Sequence, residues 1–393
     1  MSIFQIENAT AVLPNEVLHD ACIVVEDGII VEISQHRSDI ARSTDVHGAI
    51  CMPGIVDSHS DGLETEILPR PGARLPIDFS LRSFEARVRS AGITTLYHGI
   101  GFENDGPRSV ELAHQFVDAI HDYSHGRDTL IENKVLYRLD ARDAAGHEGL
   151  TTRMDAYRKH DPKPLVSFED HTPGQGQYKD PSFLVNWVMR KHNVDFEEAQ
   201  RQVAVIAAER ELIRHNRDIA IPWLTQLAKE GAISLIAHDP ASEEDIAEAT
   251  TWNASIAEFP TTIEAARAAH AAGMRTVCGA PNVLRGGSHS GNVSAAELIS
   301  LGLCDGLSSD YLPFSMLGAV GTLVSQNVCS LPHAVHLVTA GPAKTMNLQD
   351  RGTLEIGQRA DITVCSLNGA LPKVLSVISA ATAGCVDALV NGL

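Results

Sequence analysis

The residues with the most chemistry to offer stand where short apolar runs end. In Ile55-Val56-Asp57-Ser58-His59-Ser60-Asp61 an apolar pair gives way to an imidazole and a carboxylate two positions apart. In an extended segment such residues point to one side. A nitrogen and an oxygen donor so placed can grip one cation, or share it between two. Alone, the pair fits a polar strand end equally well. The arrangement recurs, however. Later apolar runs end in Tyr97-His98, in Asp140, in Glu169-Asp170-His171, in His238-Asp239, in Glu258 and in Asp310. A His/Asp cluster without thiolates suits zinc or manganese in a hydrolytic site. A bound water there is acidified and becomes a nucleophile, while the cation polarises the group under attack. An aspartate at the last strand, Asp310, is placed to accept that water's proton.

Three further stretches could hold an anion. Arg285-Gly286-Gly287-Ser288-His289-Ser290-Gly291-Asn292 offers backbone N–H groups, hydroxyls, an imidazole and a guanidinium, a composition that suits a phosphate nest. It lacks the Gly-Lys-Ser/Thr of a Walker loop. Thr172-Pro173-Gly174-Gln175-Gly176-Gln177 adds side-chain amides, Gln175 among them, and Pro69-Arg70-Pro71-Gly72-Ala73-Arg74 adds two guanidiniums. Arg70 is the first of these, and arginine suits phosphate. Glu258 and Asn282, at the ends of the sixth and seventh strands, join these loops as residues facing a substrate.

Such a constellation needs strands to aim it. Apolar runs near residues 55, 93–97, 134–139, 165–168, 233–237, 254–257, 275–278 and 306–309 read as eight strands, with helical segments between them. That alternation predicts an α/β fold, a (β/α)8 TIM-like barrel with its chemistry at the strand C-terminal ends. Crossover helices are expected over 83–91, 110–121, 264–272 and 295–301, and a helical insertion over about 181–216 as a lid or an oligomer surface. Residues 3–34 read as short strands with an Asp27-Gly28 hairpin. Strands are also expected within 352–357, at 360–364 and at 386–392. Both ends of the chain, 1–53 and 351–393, should therefore join in a small β-sandwich domain beside a barrel spanning 54–350.

The chain has 393 residues, enough for a large core and a smaller second one. A hydrophobic share of 44% and a charged share of 21% are those of an ordinary globular enzyme. The net charge of −19 argues against nucleic acid as a partner. It also requires that an anionic small-molecule substrate be met by a local basic pocket. No apolar run is long enough to span a membrane, and the first residues carry no export signal. Seven scattered cysteines without a Cys-x-x-Cys spacing fit reduced thiols in a cytoplasm.

Taken together the motifs carry a resemblance. Met52-Pro53-Gly54-Ile55-Val56-Asp57-Ser58-His59 and Arg351-Gly352-Thr353-Leu354-Glu355-Ile356-Gly357-Gln358-Arg359-Ala360-Asp361-Ile362 resemble the two junctions of the amidohydrolase superfamily. His59-Ser60-Asp61, Asp170-His171-Thr172-Pro173-Gly174-Gln175, Ile256-Ala257-Glu258-Phe259-Pro260-Thr261-Thr262, Gly279 to Asn292 and Ser308-Ser309-Asp310-Tyr311 narrow it. They resemble the branch of α-D-ribose 1-methylphosphonate 5-triphosphate diphosphatases of the carbon–phosphorus lyase pathway. The resemblance implies a metal-dependent diphosphatase of phosphonate metabolism, with one or two divalent ions, zinc or else manganese. His59, Asp61, His171, His238 and Asp310 match metal positions, with Asp140 a further candidate in a bridging place. The branch implies Glu near 140 and Asn at 62, where this chain has Asp140 and Gly62. The superfamily's bridging Lys is absent from the fourth strand, where Glu169 or Asp170 stands instead. The alternative is an amidohydrolase cleaving a C–N bond in a cyclic amide or N-acyl substrate. A catalytically silent scaffold is the third reading, and a homo-oligomer fits any of them.

Overall fold

The chain begins with β structure because its first runs are β-branched and punctuated by turn residues. In the computed structural model, which describes residues 3–70, 72–106, 108–126, 128–157, 163–288, 290–368 and 371–380, strands β1 (Ile3–Val12), β2 (Val17–Glu26) and β3 (Ile29–Ser34) form an antiparallel set. Asp27 and Gly28 turn between β2 and β3 with φ of +49° and +81°, the left-handed pair of a tight hairpin. Strands β4 (Ser43–Asp45) and β5 (Ile50–Pro53) pair in parallel with β1.

Eight parallel strands follow: β6 (Ile55–Ser60), β7 (Ile93–Phe102), β8 (Glu132–Asp140), β9 (Leu165–Glu169), β10 (Ser234–His238), β11 (Ile256–Glu258), β12 (Arg275–Gly279) and β13 (Gly306–Ser308). They lie side by side in sequence order. The sheet closes through a bridge between Ser60 and Asp310. There Asp310 N donates to His59 O at 3.0 Å and Asp61 N donates to Asp310 O at 2.7 Å. Ser309 N also donates to the fully buried Asp57 at 2.9 Å, so β6 and β13 are tied just below the future site. The barrel interior is filled by Val56, Tyr97, Leu136, Leu165, Ile236, Ile256 and Val277. A larger apolar shell lies between strands and helices, including Phe84, Leu96, Phe102, Leu139 and Leu235.

The expected crossovers appear as helices Ile77–Ser90, Val110–Ser124, Ile263–Ala271 and Ala295–Ser300. The insertion is an antiparallel pair, Pro181–His192 and Phe196–Leu212, with a small core of Leu184, Val185, Val188, Ala199 and Val203. Asn193 in the left-handed conformation ends its first helix, and Asp195 caps the second. Strands β14 (Ile362–Asn368) and β15 (Leu371–Ile378) then return, β14 pairing antiparallel with β5. Both ends of the chain thus share one seven-stranded sheet. Residues 352–357, expected to include a strand, instead form turns, with Gly352 and Gly357 at positive φ. The strand expected at 386–392 lies outside the described residues. Among the described residues no helix is long and apolar enough to cross a membrane.

Candidate active site

The strand ends bring the polar residues together as parallel barrel strands must. Residue register slips between Asp57 and Ser60 against β7, leaving one extra residue on β6. Such bulges re-aim the side chains beside them. His59 Nε2 then lies 3.2 Å from Asp61 Oδ1. Gly99 of β7 makes this approach feasible, because a Cβ there would stand 2.5 Å from Asp61 Oδ1. Gly62 has its own reason: a Cβ would meet the Phe84 ring at 2.4 Å, leaving no room for a larger side chain.

Among the described residues three groups of donors each converge within a radius that one cation could fill. Two are separate, His59, Asp61 and Asp310, and Glu169, His171 and His238; the third, His59, His238 and Glu258, takes one histidine from each of them. Asp239 stands beside the second, its Oδ2 3.5 Å from His238 Nε2 and 3.8 Å from His171 Nε2. That oxygen is buried and has no hydrogen-bond partner, a costly state unless a cation or water completes it. All donors are imidazole nitrogen or carboxylate oxygen, a set suited to zinc or manganese. The chain's own residues therefore fit a divalent metal. Asp239, Phe259 and Asp310, each just past a strand end, hold φ of +52°, +55° and +56°. Non-glycine residues rarely adopt this conformation, and it clusters at functional sites.

The charges are strongly coupled. Burial pushes Asp239 and Asp310 up to about 6, Asp310 further helped by the nearby Asp61. Burial works against His238, but Asp239, Glu169 and Glu258 outweigh it and hold it up at about 9. Burial lowers His171 to about 4. Asp61 and Glu169 resist their own burial because Arg138 lies against both, keeping them well below the usual carboxylate range. The guanidinium reaches Asp61 at 2.6 Å and Glu169 at 2.7 and 2.9 Å.

Above these groups opens a cavity of about 560 Å³, a size that suits a small-molecule ligand. His59, Asp61, His171, His238 and Asp310 reach its floor, and Asn282, Arg285, Ser288, Ser290 and Asn292 its wall. The sequence-predicted substrate residues divide at this point. Gly286 caps the helix Ala280–Arg285 at φ +73°. Neither it nor Gly287 lines the cavity, and His289 lies outside the described residues. Arg70 is exposed and away from the cavity. Gln175 lines neighbouring hollows beside Asp170 and Arg217. Glu258 is fully buried rather than facing a substrate, because its carboxylate lies between His59 and His238. Asp140 is drawn instead to Arg210 of the insertion, at 2.8 Å, and to the Arg142 amide, also at 2.8 Å. It belongs to neither donor group.

Sequence reasoning missed several residues. Arg138 and Arg108 reach the cavity, as do Tyr178, Trp187 and Lys191 from the segment before and within the insertion. Lys191 Nζ sits 4.2 Å over the Trp187 ring. Only Arg138 had a readable signal: it shares a strand face with Asp140, two residues on. Phe183 packs where a Cβ on Gly291 would be, 2.2 Å from its ring, so the insertion rests on the glycine-rich loop.

A profile of the Amidohydrolase family matches residues 222–383. The chain is 35% identical over 364 residues to the α-D-ribose 1-methylphosphonate 5-triphosphate diphosphatase of Escherichia coli (strain K12), covering 91% of this chain and 94% of that protein. Among solved structures, a triazine hydrolase variant superposes with a TM-score of 0.65 at 15% identity, covering 97% of this chain and 94% of its own. An atrazine chlorohydrolase from Arthrobacter aurescens TC1 complexed with zinc gives 0.63 at 14% identity, over 96% and 94%. At such low identity, these two structures share the fold.

Proposed function

The chain belongs to the amidohydrolase family and is a hydrolase, and from that premise we propose that it releases diphosphate from a ribosyl phosphonate triphosphate. Water adds to phosphorus, the anhydride bond between the first and second phosphates breaks, and diphosphate leaves while the 5-phosphate stays on the ribose. One observation carries this reading. Two three-membered donor groups open into the same cavity as Arg108, Arg138, Lys191 and Arg285. Asp61, Asp105, Asp239 and Asp310 line it too, so in a chain of net charge −19 it is cations held by the donor groups, together with Lys191 and Arg285, that would make it the local basic pocket a polyanionic substrate requires.

His59, Asp61 and Asp310 are suited to hold one divalent ion, and Glu169, His171 and His238 another, zinc or manganese by donor type. Such ions supply Lewis acidity to the phosphoryl oxygens and lower the pKa of water. The rest is done by side chains. Asp310, raised to about 6 by burial, takes the proton of the attacking water. Arg138 holds Asp61 and Glu169 in register. Arg285 and the hydroxyls of Ser288 and Ser290 offer donors to phosphate oxygens along one wall.

The test is direct. Purified protein supplied with zinc or manganese should release diphosphate from α-D-ribose 1-methylphosphonate 5-triphosphate, with negligible turnover of hydantoins, lactams or N-acyl amino acids. Turnover of those amides without diphosphate release would replace this reading with C–N hydrolysis.

A further inference from the structure

We propose that Glu258 is one orienting carboxylate shared by two metal-ligating histidines, fixing His59 and His238 in the Nδ1–H tautomer and so joining the two donor groups. The inference rests on the reading that those groups hold divalent cations. Glu258 ends β11 and is 1% exposed. Its Oε1 lies 2.9 Å from His59 Nδ1, and its Oε2 2.9 Å from His238 Nδ1. The His238 contact is aligned as a hydrogen bond, whereas the His59 contact is a close but off-line approach.

An ionised carboxylate only accepts, so a ring nitrogen this close carries its proton. A histidine that ligates a cation is a neutral imidazole with one such proton, which leaves the Nε2 lone pair of each ring for the cation. Those Nε2 atoms face other members of the site: His59 Nε2 is 3.2 Å from Asp61 Oδ1, and His238 Nε2 is 3.5 Å from Asp239 Oδ2. A carboxylate behind a ligating histidine sets the ring's orientation and its basicity. Here a single carboxylate serves rings from β6 and β10, one in each donor group. The next residue completes the clamp. Phe259 turns left-handed at φ +55° and lays its ring 5.3 Å from that of His59 and 5.4 Å from that of His238. His171 is held differently, its Nδ1 4.0 Å from Glu169, a carboxylate of the donor group itself.

Glu258 is thus a positioning residue, and its signature is the tautomer. In zinc-loaded, 15N-histidine-labelled full-length protein, His59 and His238 should both carry Nδ1–H, with signals assigned through His59→Gln and His238→Gln. Glu258→Gln keeps an acceptor for only one ring, because its amide nitrogen donates. One Nδ1–H should be lost, and zinc affinity should fall about 10–100-fold at both donor groups, read by chelator competition. Asp61→Asn should weaken its own group alone. An Nε2–H at either histidine of the zinc-loaded wild type would overturn the proposal, and that measurement does not depend on a variant folding. So would unchanged tautomers and zinc affinity in Glu258→Gln, or absence of zinc binding by the wild type. A zinc-soaked crystal with a Glu258 oxygen about 2.0–2.2 Å from the ion would also overturn it, by making Glu258 a ligand. None of these readouts requires diphosphate release, so failure of the reaction assignment is distinguishable from failure of this inference.

Discussion

Strand β8 carries paired charge at both of its ends, half-buried at its start and buried at its finish, and the two ends have been put to different use. At its start, Glu132 meets Arg351 at 2.5 Å, Arg359 at 2.6 Å and Lys134 at 2.7 Å. Arg351 also donates to Thr95 at 2.9 Å. These contacts fasten the segment returning from the barrel onto the barrel's lower face. At its finish, Arg138 stands among Asp61 and Glu169, with Asp310 and Asp239 nearby holding raised pKa values and left-handed backbones. Charge at the first end is met by opposite charge from several directions, although Arg359 Nε and Asp361 Oδ2, 3.4 Å apart, lack an aligned hydrogen bond. Charge at the second converges on a cavity and leaves the Asp239 oxygen unpartnered. Buried charge alone therefore does not mark a site; incompletely satisfied charge facing a cavity does.

The sharpest way to break that contrast is to exchange stability for activity at one end only. Asp310→Asn should cut kcat about 10²–10⁴-fold, the usual worth of a positioned general base. The melting temperature of the metal-free protein should stay level or rise, because burying that carboxylate is unfavourable. A melting temperature that falls with activity would place Asp310 with the structural charges instead. Arg351→Ala should do the reverse. Removing one partner of a buried pair costs about 3–5 kcal/mol, and Arg359 and Lys134 remain, so about 3 kcal/mol is expected. Denaturant titration measures the loss, and kcat of the folded fraction should be unchanged within about twofold.

The difference between the ends also explains what the sequence could and could not reveal. Eight strands and their polar ends were legible because most of the apolar runs stop at a His, Asp or Glu, and closure of the barrel does the rest. His59 and Asp61 lie together, but by way of a bulge before Ser60 and the bare backbone of Gly99 rather than by strand alternation alone. Asp140 did not join them, because Arg210, seventy positions away on the insertion, pairs with it. No local pattern encodes such a pairing. Glu258 looked like a substrate ligand because it ends a strand, yet β6 and β10 flank its carboxylate with imidazoles. Arg70 stands apart for a simpler reason: it is exposed in the segment after the first barrel strand and does not line the cavity. Trp187 and Lys191 were hidden because an insertion helix carries no mark of which face it turns to the cavity.

Acid should separate the ends by sign. Glu132 is partly buried, but its cations more than compensate and depress it from 4.5 to about 2. Its contribution, about 3 kcal/mol at 1.36 kcal/mol per unit, is present above about pH 4.5. It is lost as pH falls towards 2. Asp310 and Asp239 are raised to about 6 in the metal-free protein. Their contribution is full below about 3.8 and disappears as pH rises through 6. Stability of metal-free protein should therefore climb from pH 7 to about 4.5 and then fall. Glu132→Gln should reduce the acid-side fall, the remainder belonging to the likewise depressed Asp61, Glu169 and Glu258, while leaving the climb intact. A climb that vanishes in Glu132→Gln would show that the two ends are not energetically separate.

The smallest effect expected lies on the cavity rim, where charge is neither locked nor strained. Trp187 is 47% exposed and Lys191 rides over its ring at 4.2 Å, so both are held by a helix that packs chiefly on its partner. A charge in this setting is well solvated, and its attraction for a substrate anion is worth about 1 kcal/mol. Lys191→Ala should accordingly raise KM about fivefold and leave kcat within about twofold, the pattern of uniform binding. Raising salt from low to moderate ionic strength should erode the same difference, because exposed charges are screened over about 10 Å at 0.1 M. A loss concentrated in kcat would mean that Lys191 acts on the transition state with the floor of the site. The boundary between reacting and binding charge would then lie at the insertion rather than at the strand ends.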